Sequence, residues 1–493
     1  MNRINRRDFL ASVAAWPVLP AIFRGDPYRP ISGAARAASI RVRGRVASLG
    51  RGLAGVGVTD GLSVVSTNRD GHFELVTDTA RRHVSVSVPA GYHLPTAPAG
   101  TVRSFHPLVA DARGEMAAQW NLAPIDGGDR RHAFLLLADI QTQDRDDMTR
   151  FQRESVPDLA ATIGRLGSVP IFGVGDGDIM WDRLAMYDDY EAAVKQLGVP
   201  FVQVVGNHDL DLDRRTDEDS TTTFEGRFGP RYYSFDRGEV HYVVLDDVFY
   251  YDGGYLGYVG ADQLTWLRND LARVEAGRSV VVFAHIPFMT GLSERQGRAP
   301  GIASYVVNRA AVYEVLARYR TTILTGHLHE NDFGQTGSIH ERNLGAVCGG
   351  WWTGDLCYDG TPNGYGVYEV DGAEIRWRYQ ATGKDPGHQL RVYPRGADPA
   401  APDEFVANVW AYEPGWTVSW YHGGQRRGEM ARRVGLDPLA NDRLAGDQRP
   451  AKRTWVDPVR TGHLFYAPAP QEPGEIRVEA TDRWGRTYSE VLR

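Results

Sequence analysis

Apolar positions recur along this chain with different periods in different regions. From Ile40 to about Pro124 the period is two: Ile40-Arg41-Val42-Arg43-Gly44-Arg45-Val46 and Val84-Ser85-Val86-Ser87-Val88 alternate inward and outward residues. Gly55, Asp60-Gly61 and Asp70-Gly71 supply turns between short strands. The pattern predicts an all-β domain over 38–126, and the region 127–129 reads as a linker.

The rhythm then changes. Short apolar runs alternate with longer helical patterns. Strands are predicted at Ala133–Leu137, Val169–Val174, Pro200–Val205, Tyr242–Leu245, Val280–Phe283 and Thr322–Leu324. Helices are predicted near Met148–Gly167, Leu184–Leu197, Ala261–Glu275 and Ser304–Tyr319. Alternation of this kind predicts an α/β core over 127–382 with both sheet faces covered. After Glu330 only strands follow, at Ala346-Val347, Tyr365–Tyr368 and Ile375–Trp377. The region 383–493 reads as a second β-sandwich, immunoglobulin-like, with strands at Val409–Tyr412, Thr417–Tyr421 and Ile476–Ala480 and a turn from Asp482 to Gly485.

Composition narrows the class. The 493 residues are 42% hydrophobic and 24% charged, a globular balance with room for several domains. The net charge of −7 and the absence of a long basic block argue against nucleic-acid binding. At the N-terminus, Arg6-Arg7-Asp8-Phe9-Leu10 precedes an apolar run to about Phe23, and Ala35-Arg36-Ala37 offers a small-x-small cleavage site. This is the pattern of a twin-arginine signal peptide over 1–37, and the expected location is periplasmic or extracellular. The run is short and broken by Pro17 and Pro20, unlike a membrane anchor. Cleavage after Ala37 would take the charge from −7 to −11. No later stretch is apolar enough to predict a transmembrane segment in the mature chain. Cys348 and Cys357 could pair in an oxidising compartment or be two buried thiols.

Chemistry concentrates where predicted strands end. Asp139 and Gln141 follow the first, Asp178 and Asp182 the second, and Asn207-His208-Asp209 the third. His285 and the pair His327/His329 follow later ones. In open α/β sheets, sites form where the carboxyl ends of strands converge. Carboxylate, amide and imidazole groups are those that bind metal ions and move protons. Asp176 also precedes a glycine, but the Ile-x-Trp-Asp spacing after Asp178 favours Asp178. His72, His83, His93 and His106 lack partner spacing and read as surface or packing residues, and His241, at a strand start, reads the same way. Trp351 and Trp352 could line a pocket or fill the core. The polar segment Leu210–Arg231, with Arg214, Arg215, Arg227 and Arg231, could cap the site and grip phosphate or form a solvated loop.

The order D-x-Q, G-D, G-N-H-D, H, G-H-x-H resembles the calcineurin-like metallophosphoesterases over roughly Arg131 to Thr382. The N-terminal region is similar to transthyretin-like or carboxypeptidase-regulatory modules. Gly349-Gly350-Trp351-Trp352-Thr353-Gly354 and Asp359–Gly366 resemble an exported bacterial branch with β-domains on both flanks. The resemblance implies a two-sheet αββα metallophosphoesterase core flanked by two β-sandwich domains. It also implies two divalent ions (manganese, iron or zinc) sharing Asp178 as a bridge. Asp139, His329 and Gln141, where relatives often have histidine, would complete one metal site; Asn207, His285 and His327 would complete the other. Two such ions clamp a phosphoryl group and activate water between them. His208 would then be the proton donor or electrostatic partner of a phosphomonoester or phosphodiester substrate. Asp209 or Asp182 would hold its other nitrogen. The alternative is an exported binding protein with an inactive phosphoesterase core, against which the ligand set argues.

Overall fold

The structure, a computed structural model, describes residues 37–447 and 449–492. The expected export signal lies outside the described residues. Two β-sheets form the centre. One has the order Phe201–Val204, Ile171–Asp176, Arg131–Leu137, Gly364–Asp371, Glu374–Ala381. Its first three strands are parallel, with Ala133 opposite Ile171 and Gly173 opposite Phe201. The other runs Tyr233–Arg237, Val240–Val244, Ser279–Phe283, Arg320–Thr325, Ile339–Asn343, Asp332–Thr336, with its four middle strands parallel.

Side-chain alternation along these strands accounts for the layering. Phe134 and Leu136 point between the sheets, where the Phe134 ring meets Tyr242 at 5.7 Å and Phe283 at 5.5 Å from the opposite sheet. Leu135 and Leu137 point the other way and cluster with Met148, Phe151 and Leu159 of the covering helix. Each such burial is worth roughly 1.5–3 kcal/mol. That helix begins earlier than the apolar period suggests. Asp144 caps it by accepting from the amides of Asp146 and Asp147, and a π-turn at Phe151–Ser155 interrupts it before it ends at Leu166.

The flanking regions share this interior. Strands Ser39–Ser48, His72–Asp78, Glu115–Asn121 and Arg51–Gly52 form one N-terminal sheet, and four short strands between Gly57 and Pro107 form a second. Two four-stranded sheets follow between Arg391 and Leu492. One apolar cluster runs from Val42 and Phe73 through Phe134 and Tyr242 to Phe405 and Val418.

Several predicted elements shift. Val409–Tyr412 is a turn that buries Trp410, and the strand is Glu404–Asn408. The apolar run there reflects a tucked turn. Ala346-Val347 lies in a loop whose Val347 amide donates to the Ala138 carbonyl; the strand expected there is Ile339–Asn343. The helix predicted at Ser304–Tyr319 spans only Arg309–Leu316. A helix at Pro438–Ala445, capped by Asp437, was not expected.

Leu210–Arg231 is not a plain solvated loop. It contains helices Asp217–Ser220 and Thr222–Phe228. Arg231 is held by Asp217 at 3.2 Å and Asp246 at 2.8 Å, and Arg227 pairs with Glu191 and Asp188, so neither guanidinium is free for a ligand.

Candidate metal centre

Each candidate ligand lies just beyond a central strand. Asp139 and Asp178 follow strands of the first sheet ending at Leu137 and Asp176, and Asn207 follows Val204. His285 and His327 follow strands of the second sheet ending at Phe283 and Thr325. The ligating atoms of Asp178, His285 and His327 lie within 4.8 Å of one another. Asn207 Oδ1 is 3.2 Å from His285 Nε2, and Asp139 Oδ1 is 3.4 Å from His329 Nε2. The His327 amide donates to Asp139 Oδ2 at 2.8 Å, which ties the two halves together.

The backbone is bent to make this possible. Asp139, Gln141, Asp178, Asp182, His327 and His329 all have positive φ, between 44° and 74°. Non-glycine residues rarely adopt that conformation, and its concentration in one place is typical of functional sites. Gly206 lets the third strand's loop approach the second: a Cβ there would sit 2.0 Å from the Asp178 amide and 2.3 Å from its Oδ1. Gly326 does the same beside Asp139, at 2.4 Å from Oδ2.

The three histidines share one device. His285 Nδ1 lies 3.1 Å from the Asp176 carbonyl, His327 Nε2 2.8 Å from that of Ala303, and His329 Nδ1 2.6 Å from that of Gly349. A carbonyl only accepts, so each ring donates through that nitrogen and turns the other toward the carboxylates, where a bound ion would take it as a lone pair. Oriented imidazoles of this kind are the usual support of metal ligands. Asp139 Oδ1 and His329 Nε2 are buried with no hydrogen-bond partner, a costly arrangement that a divalent ion would relieve. The mixed oxygen and nitrogen donors suit manganese, iron or zinc.

Electrostatics agree with that geometry. Burial alone would raise Asp178, but the combined pull of His285, His208 and His327 holds its carboxyl well below the usual range. Burial opposes charge on His285, yet the facing Asp178 outweighs it and pushes the imidazole up to about 10. Burial and His285 together push His327 down to about 3, leaving it neutral. A divalent ion between Asp178 and His285 would replace the proton they hold.

Other expected residues are placed differently. Gln141 Nε2 donates to Asp178 Oδ2 at 2.7 Å, while its Oε1 faces the Cys348 thiol at 3.4 Å. In this arrangement Gln141 steadies the shared carboxylate instead of offering oxygen to an ion. Asp182 Oδ1 is 2.8 Å from His208 Nδ1. Asp209 instead accepts from the amides of Ile179, Met180 and Gly206 and from the Tyr187 hydroxyl, so it braces the loops. Asp176 is buried beneath the site with both oxygens unpartnered, and burial raises it well above the carboxylate range.

Cys348 and Cys357 are free, buried thiols. Trp352 is packed inside, its indole donating to the Ile140 carbonyl, whereas Trp351 stands between His208 and His329. His241 is buried between Asp236 and Asp270. Trp455 and Arg453, from the C-terminal region, also reach this face; nothing in their local sequence signals it.

Three family models match the chain in succession. They are the N terminal of Calcineurin-like phosphoesterase at 40–124, Calcineurin-like phosphoesterase at 132–331, and the C terminal of Calcineurin-like phosphoesterase at 341–488. The chain belongs to the calcineurin-like phosphoesterases. Among curated relatives, purple acid phosphatase 15 of Arabidopsis thaliana is 31% identical over 145 residues, 27% of this chain and 24% of that protein. The serine/threonine-protein phosphatase CPPED1 of Danio rerio is 30% identical over 139 residues, 27% of this chain and 43% of that protein. The chain thus spans less than half the length of these two relatives. Among solved structures, a dimetal phosphatase from Danio rerio matches 51% of this chain and 96% of its own at 16% identity and a TM-score of 0.35. Purple acid phosphatase PPD1 from yellow lupin matches 70% and 67% at 12% identity and a TM-score of 0.37.

Proposed function

We propose that this chain is a metal-dependent phosphoesterase that works outside the cytoplasm after twin-arginine export. The observation that carries the reading is the set of three imidazoles, each fixed by a backbone carbonyl and aimed at a buried carboxylate. Asp178, Asn207, His285 and His327 would hold one divalent ion, and Asp139 and His329, with Asp178 shared, a second. Such ions supply charge neutralisation for phosphoryl oxygens and a water acidic enough to act at neutral pH.

The chain's own residues do the rest. The His208 amide donates to Asp178 Oδ1 at 2.8 Å and Gln141 to Oδ2, which fixes the shared carboxylate in one orientation. His208 stands at the rim, half-buried, with Nδ1 taken by Asp182 and Nε2 left for the phosphoester. Burial lowers its affinity for a proton, but Asp178 and Asp182 outweigh that and raise it above the ordinary value. A protonated imidazole at that place can donate to the leaving oxygen.

Turnover of p-nitrophenyl phosphate and bis(p-nitrophenyl) phosphate by protein loaded with manganese or zinc tests the activity and separates monoester from diester. Hydrolysis of neither, or unaltered turnover in His208→Ala, would overturn it. Export rests on the sequence pattern at Arg6-Arg7. Periplasmic fractionation of the wild type against Arg6→Lys with Arg7→Lys tests it, and equal export of both would reject the twin-arginine route.

A further inference from the structure

Beside His208 three tryptophans from distant parts of the chain come together. Trp181 follows Asp178, Trp351 lies in the glycine-rich loop after the last histidines, and Trp455 belongs to the C-terminal region. Ring centroids are 4.3 Å apart for Trp181 and Trp351, 4.8 Å for Trp351 and Trp455, and 5.8 Å for Trp181 and Trp455. The His208 ring stands edge-on to Trp351 at 5.2 Å and to Trp181 at 6.2 Å. Trp351 also stacks on His329 at 5.3 Å. The aromatic wall therefore runs from the candidate ligands, past the proton donor, to the surface.

Trp455 is the outer end of this wall, and it is 41% exposed where Trp351 is 7% exposed. Its position is firmly held. Two residues earlier, the buried Arg453 pairs with Asp147 at 2.5 Å, lies 4.7 Å over the Trp181 ring and donates to the Trp351 carbonyl. Its backbone is left-handed, with φ of 61°, and the adjacent Lys452 pairs with Asp144 at 2.8 Å. A buried ion pair and a left-handed arginine both cost free energy. Here they fix a loop of the C-terminal region against the site while leaving an indole open to solvent. A tryptophan needed only as filler would be covered, as Trp266 and Trp410 are. Exposed aromatic surface beside a reactive group is a binding feature.

We infer that the exposed Trp455 indole forms a stacking site for the leaving group, with Trp181 standing edge-on to it at 77° as a side wall, and that the preferred phosphoester carries a flat aromatic ring, aryl or nucleoside, on its leaving oxygen. The inference rests on His208 being the donor to that oxygen. The departing group must lie next to His208 and hence against this wall. Indole faces bind planar rings by stacking and gain much less from a short polar alcohol.

The test compares manganese-loaded wild type, Trp455→Ala and Trp455→Phe on phenyl phosphate, adenosine monophosphate and glycerol phosphate, with kcat and KM read separately. The expected result is that Trp455→Ala raises KM for an aromatic substrate about ten times more than for glycerol phosphate, and that Trp455→Phe restores most of the difference. A selective effect on phenyl phosphate alone assigns an aryl group, on adenosine monophosphate alone a nucleoside, and on both the ring as such. Equal changes on all three substrates, or a fall in kcat with KM unmoved, would overturn the stacking site while leaving phosphoesterase activity standing. If wild type hydrolyses none of the three, the phosphoesterase reading falls and takes this inference with it.

Discussion

The Nδ1 of His208 and the Oδ1 of Asp182 face each other across 2.8 Å at the rim of the metal centre. Asp182 has a left-handed backbone, φ 57°, and its amide donates to the His208 carbonyl, so the two loops hold each other twice. This geometry fixes the imidazole tautomer and leaves Nε2 for substrate. His208→Ala should lower kcat by a factor of about 10²–10⁴ with metal content unchanged. Asp182→Asn should lower kcat less, by roughly ten- to a hundredfold, because the ring remains and loses its orientation and its stabilising charge. Steady-state kinetics beside metal analysis check both; a His208→Ala protein that also loses metal would make His208 a support of the site and not the proton donor.

Gln141 and Asn207 carry the same functional group and should behave oppositely. Asn207 Oδ1 faces His285 Nε2, among the candidate ligands, whereas Gln141 offers its nitrogen to Asp178. Asn207→Ala should therefore lose about one ion per chain, while Gln141→Ala should keep near wild-type stoichiometry. Asp178→Asn, which removes the shared charge, should lose most of both. Mass-spectrometric metal analysis after dialysis checks the three variants, and equal loss from Gln141→Ala and Asn207→Ala would restore Gln141 as a ligand.

Much of this arrangement was legible in the sequence because it depends on local order. Strand-end placement follows from where apolar runs stop: Asp178, Asn207, His327 and His329 follow a glycine, and Asp139 and His285 are the first polar residues after unbroken apolar runs. Sequence could not choose between Asp182 and Asp209. Both lie within one turn of a candidate residue, and only the fold shows Asp209 turned inward onto three amides. Nor could it separate the amide of Gln141 from that of Asn207, since the difference is one side-chain torsion. Arg453 and Trp455 were invisible for a third reason: the Arg453–Asp147 pair joins positions 306 residues apart. The strand misplaced onto Val409–Tyr412 shows the limit of periodicity, because a buried turn carries the same apolar signature as a buried strand.

Gly206 should tolerate no side chain. A methyl there would meet Asp178 at 2.0 Å from its amide and 2.3 Å from Oδ1, and Asp178 cannot withdraw because Gln141 and the His208 amide hold its oxygens. Gly206→Ala should destabilise the fold by roughly 1–3 kcal/mol and lower metal occupancy together. Gly226→Ala, where no atom lies within 4 Å of the added carbon, is the matched control and should do neither. Thermal unfolding with metal analysis on both variants checks the pair.

His241 makes a prediction far from the metals. It is buried between Asp236 at 3.0 Å and Asp270 at 2.9 Å. Arg278, 2.8 Å from Asp236, is the guanidinium paired with this group. Burial opposes protonation, but Asp270 first and then Asp236 overcome it and push His241 up from 6.5 to about 9. A folded-state value above the unfolded one means that folding takes up a proton. The stabilisation is fully present below pH 6.5, declines above it and is lost as pH passes about 9. Its size is on the order of 3 kcal/mol. Urea unfolding from pH 6 to 10 should show wild type losing stability across that window and His241→Gln showing a flatter profile with a lower value at pH 6. Parallel profiles for the two proteins would mean that His241 is neutral in the folded state.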